Sequence, residues 1–304
     1  MDAFLDAASP DRAGSRPLRG PARLLRHAAR VLRVVRTHRS IIAGAAIVSF
    51  VVFIAVFAPL LSPYSPIQVH PLDRLKGIGS PGYLLGADQQ GRDMLSRMMW
   101  GARSSLAIAV VPLGISGIIG LVLGSVAGYM GRVPDTLIMR SMDIVFGLPP
   151  ILLAIAVSAT LGPGLVNLVL SLTIVLVPPM TRVTYQVVTT LKEQPFIEAA
   201  RVSGASTFQI ILDQILPNSL APVIAYGTSL AGAIVVFGAG ISFIGLGIQP
   251  PEADWGRMIN DGREVLDLHP HVSTLPGLAI FVLAAGFNLL GDGLRDLLDP
   301  RMRL

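Results

Sequence analysis

Residues 143–182 read DIVFGLPPILLAIAVSATLGPGLVNLVLSLTIVLVPPMTR, and between Asp143 and Arg182 no charged residue occurs. A bilayer core is crossed by about 20 apolar residues in a helix. This run is long enough for two crossings, and Gly162-Pro163-Gly164 breaks it near its middle. The third of six expected spans therefore covers Thr136 to Leu161. The fourth covers Leu165 to Val177 and is expected to end at Pro178-Pro179.

Working outward, similar stretches recur at Ile41 to Leu61, Ser104 to Met130, Ala221 to Leu246 and Thr274 to Leu290. Charged residues make up only 14% of the chain and the mean hydropathy is +0.65. Soluble domains carry about 25% charge, so the expected class is an all-α integral membrane protein with six transmembrane helices. In the second span Gly120, Gly124 and Gly128 recur every fourth residue. Such a row clears one helix face, so a second helix can approach closely.

Nine arginines, from Arg12 to Arg39, crowd the N-terminus, opposed by Asp2, Asp6 and Asp11. From Arg23 on, apolar residues recur at helical spacing, as in a basic amphipathic helix on anionic headgroups or a retained topology signal. A cleaved signal peptide is not expected, because the apolar stretch is too long and no small-residue cleavage site follows. The basic cluster precedes an apolar span, so a pI near 10.1 points to membrane topology and not to nucleic acid. With the N-terminus inside, 17 basic residues fall inside and 7 outside. Both termini and the segment around Glu198 are then cytoplasmic.

That segment contains Glu198-Ala199-Ala200, then Gly204, then Leu216-Pro217. Ala199 and Ala200 are small and favour helix, so a partner surface could come close. Gly204 permits a sharp turn, Pro217 removes a backbone donor, and Glu198 can accept hydrogen bonds. A docking element between the membrane helices and a soluble partner fits these features.

The chain contains no Cys, which excludes thiolate metal sites and disulfides. Lys76 and Lys192 are its only lysines, and neither is followed by Ser or Thr, so no P-loop is present. All five histidines lie outside the expected spans, and no metal site is expected. The span centres carry no charge of the kind that ion-coupled transporters use. Asp143 lies closest to the bilayer, with Arg140 one turn away to neutralise it. A polytopic chain of this kind draws its energy from elsewhere or is passive.

Glu198-Ala199-Ala200-x-x-x-Gly204, then Leu216-Pro217, resembles the cytoplasmic loop of ABC-importer permeases. In those permeases an Ile stands two residues before the Leu. Here Gln214 stands there, with Ile215 beside it. Three further segments resemble the peptide and nickel branch of the family, in particular its C-type membrane subunit. They are Leu85-Gly86-Ala87-Asp88-Gln89-Gln90-Gly91-Arg92-Asp93, Gly245-Leu246-Gly247-Ile248-Gln249-Pro250-Pro251 with Trp255-Gly256, and Gly291-Asp292-Gly293-Leu294-Arg295-Asp296 with Leu298-Asp299-Pro300-Arg301. The resemblance covers the chain from about residue 30 to its end.

The resemblance implies a type I ABC-importer permease fold in the bacterial cytoplasmic membrane. The segments it implies are a basic N-terminal segment (1–40), a first helix (41–61), an extracytoplasmic segment (62–103), a five-helix core (104–291) containing the coupling loop (180–220), and a cytoplasmic tail (292–304). Implied partners are a homologous permease, two cytoplasmic ATPase subunits that hold the ATP and Mg, an extracytoplasmic solute-binding protein and membrane lipid. The implied cargo is a di- or oligopeptide. Nickel or another small solute stays open as cargo, and so does a non-transporting scaffold that recruits an ATPase. No cofactor and no catalytic residue is expected in the chain. The segment of Gly86, Asp88, Gly91, Arg92 and Asp93 reads as a structural cap over the outer mouth or as a contact for the delivery protein.

The charge count yields a direct test of topology. Arg132 and Glu198 are expected on the cytoplasmic side, and Asp88 and Trp255 on the opposite side, as read by impermeant thiol reagents at single cysteines placed in the segments that carry them. Labelling of the Asp88 segment from the cytoplasm alone overturns this orientation.

Overall fold

A computed structural model describes residues 39–298. The basic segment from Arg12 to Arg36 and the closing Asp299-Pro300-Arg301 lie outside the described residues, as do the amphipathic helix and most of the tail expected there. Among the described residues the elements are α1 (Arg39–Leu61), α2 (Met94–Met130), α3 (Arg132–Phe146), α4 (Pro150–Leu161), α5 (Leu165–Lys192), α6 (Pro195–Val202), α7 (Thr207–Ile210), α8 (Leu216–Phe243), α9 (Trp255–Gly262) and α10 (His271–Leu298). A π-helical turn, Ile211–Ile215, joins α7 to α8. Five helical stretches are long and apolar enough to cross a membrane, and six if α3 and α4 together count as one broken span.

Three spans depart most clearly from the sequence expectation. The second helix begins at Met94 and not at Ser104. The Asp93 carboxylate caps it by accepting from the Ser96 backbone N–H at 2.7 Å and the Ser96 hydroxyl at 2.6 Å, which satisfies donors orphaned at a helix start. The third span is not one helix. α3 and α4 meet at 87° across Gly147-Leu148-Pro149, where proline disfavours helical backbone in the residue before it and removes a donor. The fourth does not stop at Pro178-Pro179, because α5 runs on to Lys192. Neighbouring helices tolerate prolines within a span, and α5 is half buried along its most apolar window, the largest share of any span.

The α2–α5 pair runs parallel and forms the centre of the bundle. A Cβ added at Gly120 would meet Met180, one at Gly124 would meet Thr184, and one at Gly128 would meet Val188. Steps of four residues on one helix thus match steps of four on the other. The glycine row meets a helix of its own chain, so the partner expected from the sequence lies within the subunit. Thr181 and Thr184 on that contact bond their own helix carbonyls at Val177 and Met180, leaving no free hydroxyl donor against the glycines.

Other spans close on this pair in the same way. Gly238 of α8 takes Ile108 of α2, Gly291 of α10 takes Ser229 of α8, and Gly286 of α10 takes Ile47 of α1. Two apolar clusters fill the interior. One gathers Val51, Met94, Val235, Trp255, Leu283 and Phe287 from α1, α2, α8, α9 and α10. The other gathers Ile108, Ala154, Leu168, Leu172 and Ile234 from α2, α4, α5 and α8. Gly293 near the end of α10 lies against Ile41 near the start of α1. Those helix ends share the face of the bundle that carries α6.

The α2–α5 contact predicts the cost of filling it. Gly124→Leu forces a branched side chain onto Thr184 and the Thr181 carbonyl. The expected loss of stability is about 1–3 kcal/mol, read as a lower unfolding midpoint of the purified subunit in detergent. Because the contact is internal, the loss is expected without any partner subunit present.

Candidate coupling site

The segment around Glu198 is folded and not a loop. Pro195 starts α6, where its missing donor costs nothing. The helix ends at Gly204, whose φ of +85° belongs to the left-handed region that favours glycine. The Ala205 N–H donates to the Ala200 carbonyl at 3.1 Å and the Gly204 N–H to the Arg201 carbonyl at 3.1 Å, the paired closure of a Schellman ending. Ser206 then starts α7 with a reciprocal cap, in which its hydroxyl accepts from the Gln209 N–H and the Gln209 side chain accepts from the Ser206 N–H. α6 and α7 form a tight, doubly capped hairpin.

Ile197 is fully buried and Ala200 half-buried, while Glu198 and Ala199 are exposed. Ala200 thus belongs to the packed side, in contrast to the sequence reading that offered both alanines to a partner. Ile197 packs with Tyr129 of α2, Val188 of α5, Ile210 of α7 and Ile215 of the π turn, with Ala200 and Ala205 against them. The Tyr129 ring has cations on it, with the Lys192 ammonium and the Arg201 guanidinium each 5.8 Å from its centroid. The Arg201 guanidinium also donates to the Tyr129 hydroxyl at 3.4 Å.

One small core therefore joins the hairpin to the ends of three spans. Tyr129, Ile197 and Ile210 were not singled out from the sequence, and Ile215 entered only as the neighbour of Gln214. The i, i+3 spacing of Ile197 and Ala200 within a short capped helix was the available signal. Leu216 is half-buried and Pro217 exposed, just where the π turn passes into α8. Pro217 offers no N–H to the carbonyl one turn back, and the Leu216 N–H instead reaches Ile211. Phe196 and Val202 of α6, Phe208 of α7 and Leu212 of the π turn are exposed. Exposed large apolar groups in one short segment suit an interaction surface.

At the opposite end of the bundle, Asp88, Arg92, Asp93 and Arg97 are all buried. Asp88 accepts from the Arg92 guanidinium at 2.6 Å and from the backbone N–H groups of Gln90 and Arg92, and pairs with Arg97 at 3.3 Å. Arg97 also donates to the carbonyls of Pro66 and Pro251. Asp261 of α9 pairs with Arg257 at 2.9 Å and lies 3.9 Å from Arg92. Gly91 has a φ of +77° and sits against His70, and Gly86 has a φ of +82° and sits against Lys76 and His271. This network ties residues 62–93 to α2, α9 and the start of α10. Nearby, burial pushes the Asp254 carboxyl up in pKa, opposed by the backbone N–H groups of Arg257 and Gly256 and by Arg97.

Asp143 finds a different partner from the one expected. Arg140 is largely exposed and reaches it only at 4.0 Å. Arg182 of α5 makes the close pair, with its guanidinium 4.6 Å from the Phe146 ring centroid. Because α3 lies along α5, a cation on the neighbouring helix lies nearer than the one a turn away on the same helix.

Residues 120–304 match the family described as binding-protein-dependent transport system inner membrane component. Residues 28–77 match the N-terminal TM domain of oligopeptide transport permease C. The chain is 41% identical over 269 residues to the dipeptide transport system permease protein DppC of Alkalihalophilus pseudofirmus, covering 88% of each chain. It is 39% identical to the di/tripeptide transport system permease protein DppC of Pseudomonas aeruginosa, over 88% of this chain and 89% of that one. It is 40% identical to the glutathione transport system permease protein GsiD of Pectobacterium atrosepticum, over 89% and 90%. Its fold is similar to a chain of the MetNI methionine ABC transporter solved in inward-facing conformations. That match has a TM-score of 0.53 at 21% identity and covers 68% of this chain and 98% of the other.

The buried ion network carries its own prediction. Asp88→Ala leaves the Arg92 and Arg97 guanidinium groups buried without their shared acceptor, a loss of about 3–5 kcal/mol. The expected readout is a large fall in the yield of folded subunit and in its unfolding midpoint. An unchanged midpoint overturns the reading of Asp88 as the centre of the network.

Proposed function

This chain belongs to the binding-protein-dependent transport system inner membrane components, and from that membership we propose that it forms half of the membrane pathway of an ATP-driven importer of di- and tripeptides, working through α6. It is a multi-pass inner-membrane permease and not the subunit that hydrolyses ATP. The peptide cargo is supported by the relatives, whose names refer to dipeptides, di/tripeptides and glutathione. No observation favours nickel or a scaffold role.

The observation that carries the coupling mechanism is the hairpin itself. It shows Glu198, Ala199 and an apolar fringe outward, while Ile197 seats it on the ends of α2, α5 and α8. In the proposed mechanism a cytoplasmic ATPase subunit, which holds ATP and Mg, grips the outward side of α6. Its closure displaces α6, and the core around Tyr129 passes that displacement to the spans together. The pathway then opens toward the binding protein, and hydrolysis resets it. A second, homologous permease supplies the other half of the path and receives the second ATPase subunit. The charge count supports a cytoplasmic placement of α6.

Two substitutions test this. Gly204→Val places a β-branched residue at a φ of +85°, a strain of about 1–3 kcal/mol confined to the hairpin. Glu198→Lys reverses charge on the outward side. Both are expected to leave membrane insertion and pairing of the two permeases intact and to abolish peptide uptake. Gly204→Val is also expected to weaken capture of the ATPase subunits in a pull-down or to uncouple their hydrolysis. Normal uptake by the double variant would overturn the coupling role of α6.

A further inference from the structure

Two cavities lie along one face of α2. The first, of about 410 Å³, is walled by Trp100, Arg103 and Ser104 of α2, by Ser65 and Pro66 of the segment after α1, and by Glu252 between α8 and α9. The Arg103 guanidinium stands 5.0 Å from the centroid of the Trp100 ring. Arg103 and Glu252 are both exposed. Among the described residues neither side chain has an ion-pair or hydrogen-bond partner, although they share this cavity. Lys76, Arg92, Arg97 and Arg257, at the same end of the bundle, are each paired with a carboxylate. A cation and an anion thus share one small space without neutralising each other.

Arg103, Val110, Gly114, Gly117 and Leu121 follow helical spacing along one stripe of α2. The last four line the second cavity, a groove of about 350 Å³ between α2 and α8, with Met180 and Phe287 among its other walls. No charged side chain lines it, and the Thr228 hydroxyl on its wall is committed to the Ile224 carbonyl at 2.8 Å. Open space lies where a Cβ on Gly114 or Gly117 would stand. The helix starts at Met94, so Arg103 stands about 14 Å along its axis. The charged cavity is therefore on the flank of the bundle, at the level of Ser104, where the apolar stretch of α2 begins.

We propose that the two cavities hold one phospholipid whose headgroup carries both a phosphate and a primary ammonium, as in phosphatidylethanolamine. Arg103 donates to the phosphate, Glu252 accepts from the ammonium, and an acyl chain lies in the groove. The order of polarity along the stripe carries the assignment. A pair of opposite charges beside an aromatic ring stands at the edge of the apolar stretch, as headgroup contacts do, and an uncharged groove follows it into the span. A headgroup with phosphate alone leaves Glu252 facing a like charge. A short peptide carries both charges at its ends but has no hydrocarbon chain for a groove two turns away. Three turns of a partner helix about 10 Å across occupy roughly 1,300 Å³, so such a helix would rest on the rim of this groove, whereas a single chain fits within it.

The test uses the full chain in mild detergent, mixed with equal amounts of phosphatidylethanolamine, phosphatidylcholine and phosphatidylglycerol that bear the same acyl chains. Retained lipid is counted by native mass spectrometry. One phosphatidylethanolamine is expected to be retained about 5-fold over phosphatidylglycerol, the scale of one exposed charge pair. Arg103→Ala is expected to cut its retention by a similar factor. Glu252→Gln is expected to keep a bound lipid but erase the preference. Gly117→Leu, which places a side chain in open space, is expected to displace the lipid without lowering the unfolding midpoint. Trialanine and glycerophosphoethanolamine, which carry the charges without the chains, are expected not to compete. Equal retention of all three lipids, unaltered by the variants, would mean an unselective lipid shell and overturn the proposal. Displacement by trialanine would reassign the charged cavity to peptide. Loss of the lipid on assembly with the second permease would reassign the groove to a partner span. Either result also overturns the proposal.

Discussion

Glycine on α2 against α5 is the constraint on which the rest of this molecule depends. Apolar side chains gain little by leaving lipid, so burial alone does not hold spans together; close packing does. Gly120, Gly124 and Gly128 let α2 approach α5 along its C-terminal half, at Met180, Thr184 and Val188. α8 closes on that pair, and α10 and α1 follow through their own glycines. The charged residues are set at the two ends of this bundle. One end holds the buried network around Asp88, and the other the small core around Tyr129 and Ile197.

The two ends are built for different tasks. At the Asp88 end, ion pairs and backbone donors hold the buried Asp88 carboxylate and its two guanidinium partners, which ties residues 62–93 to the spans. At the other end only one short helix intervenes between the spans and the outside, and it keeps apolar side chains exposed. A rigid lid opposite a bare contact surface suits a subunit that is driven from one side.

Much of this was legible in the sequence. The uncharged run between Asp143 and Arg182 established membrane class, and the four-residue glycine row marked a packing face, because both follow from composition and period alone. The spacing from Glu198 to Gly204 pointed to a turn that needs glycine. Boundaries were less legible. Pro178-Pro179 read as a stop, but the surrounding helices hold α5 together through it, and no local rule contains that information. Gly147-Leu148-Pro149 read as part of a span, whereas it is a corner. The inward turn of Ala200 and the Asp143–Arg182 pair depend on which helices become neighbours, a tertiary fact. The same holds for Tyr129, an ordinary aromatic residue at a helix end until α6 folds onto it.

The matched four-residue steps of α2 and α5 restrict how the subunit can deform. Sliding one helix along the other by a small amount would drive Met180, Thr184 and Val188 off their glycines and onto bulkier neighbours. The next seat in register lies about 6 Å away, four residues at the helical rise. The pair therefore behaves as a keyed shaft: it can rock or turn as one piece but cannot telescope. A force arriving through Tyr129 at the end of α2 must then emerge as a tilt of the whole pair. The amplitude at the far end is set by the length of the helices and not by any stretch along them.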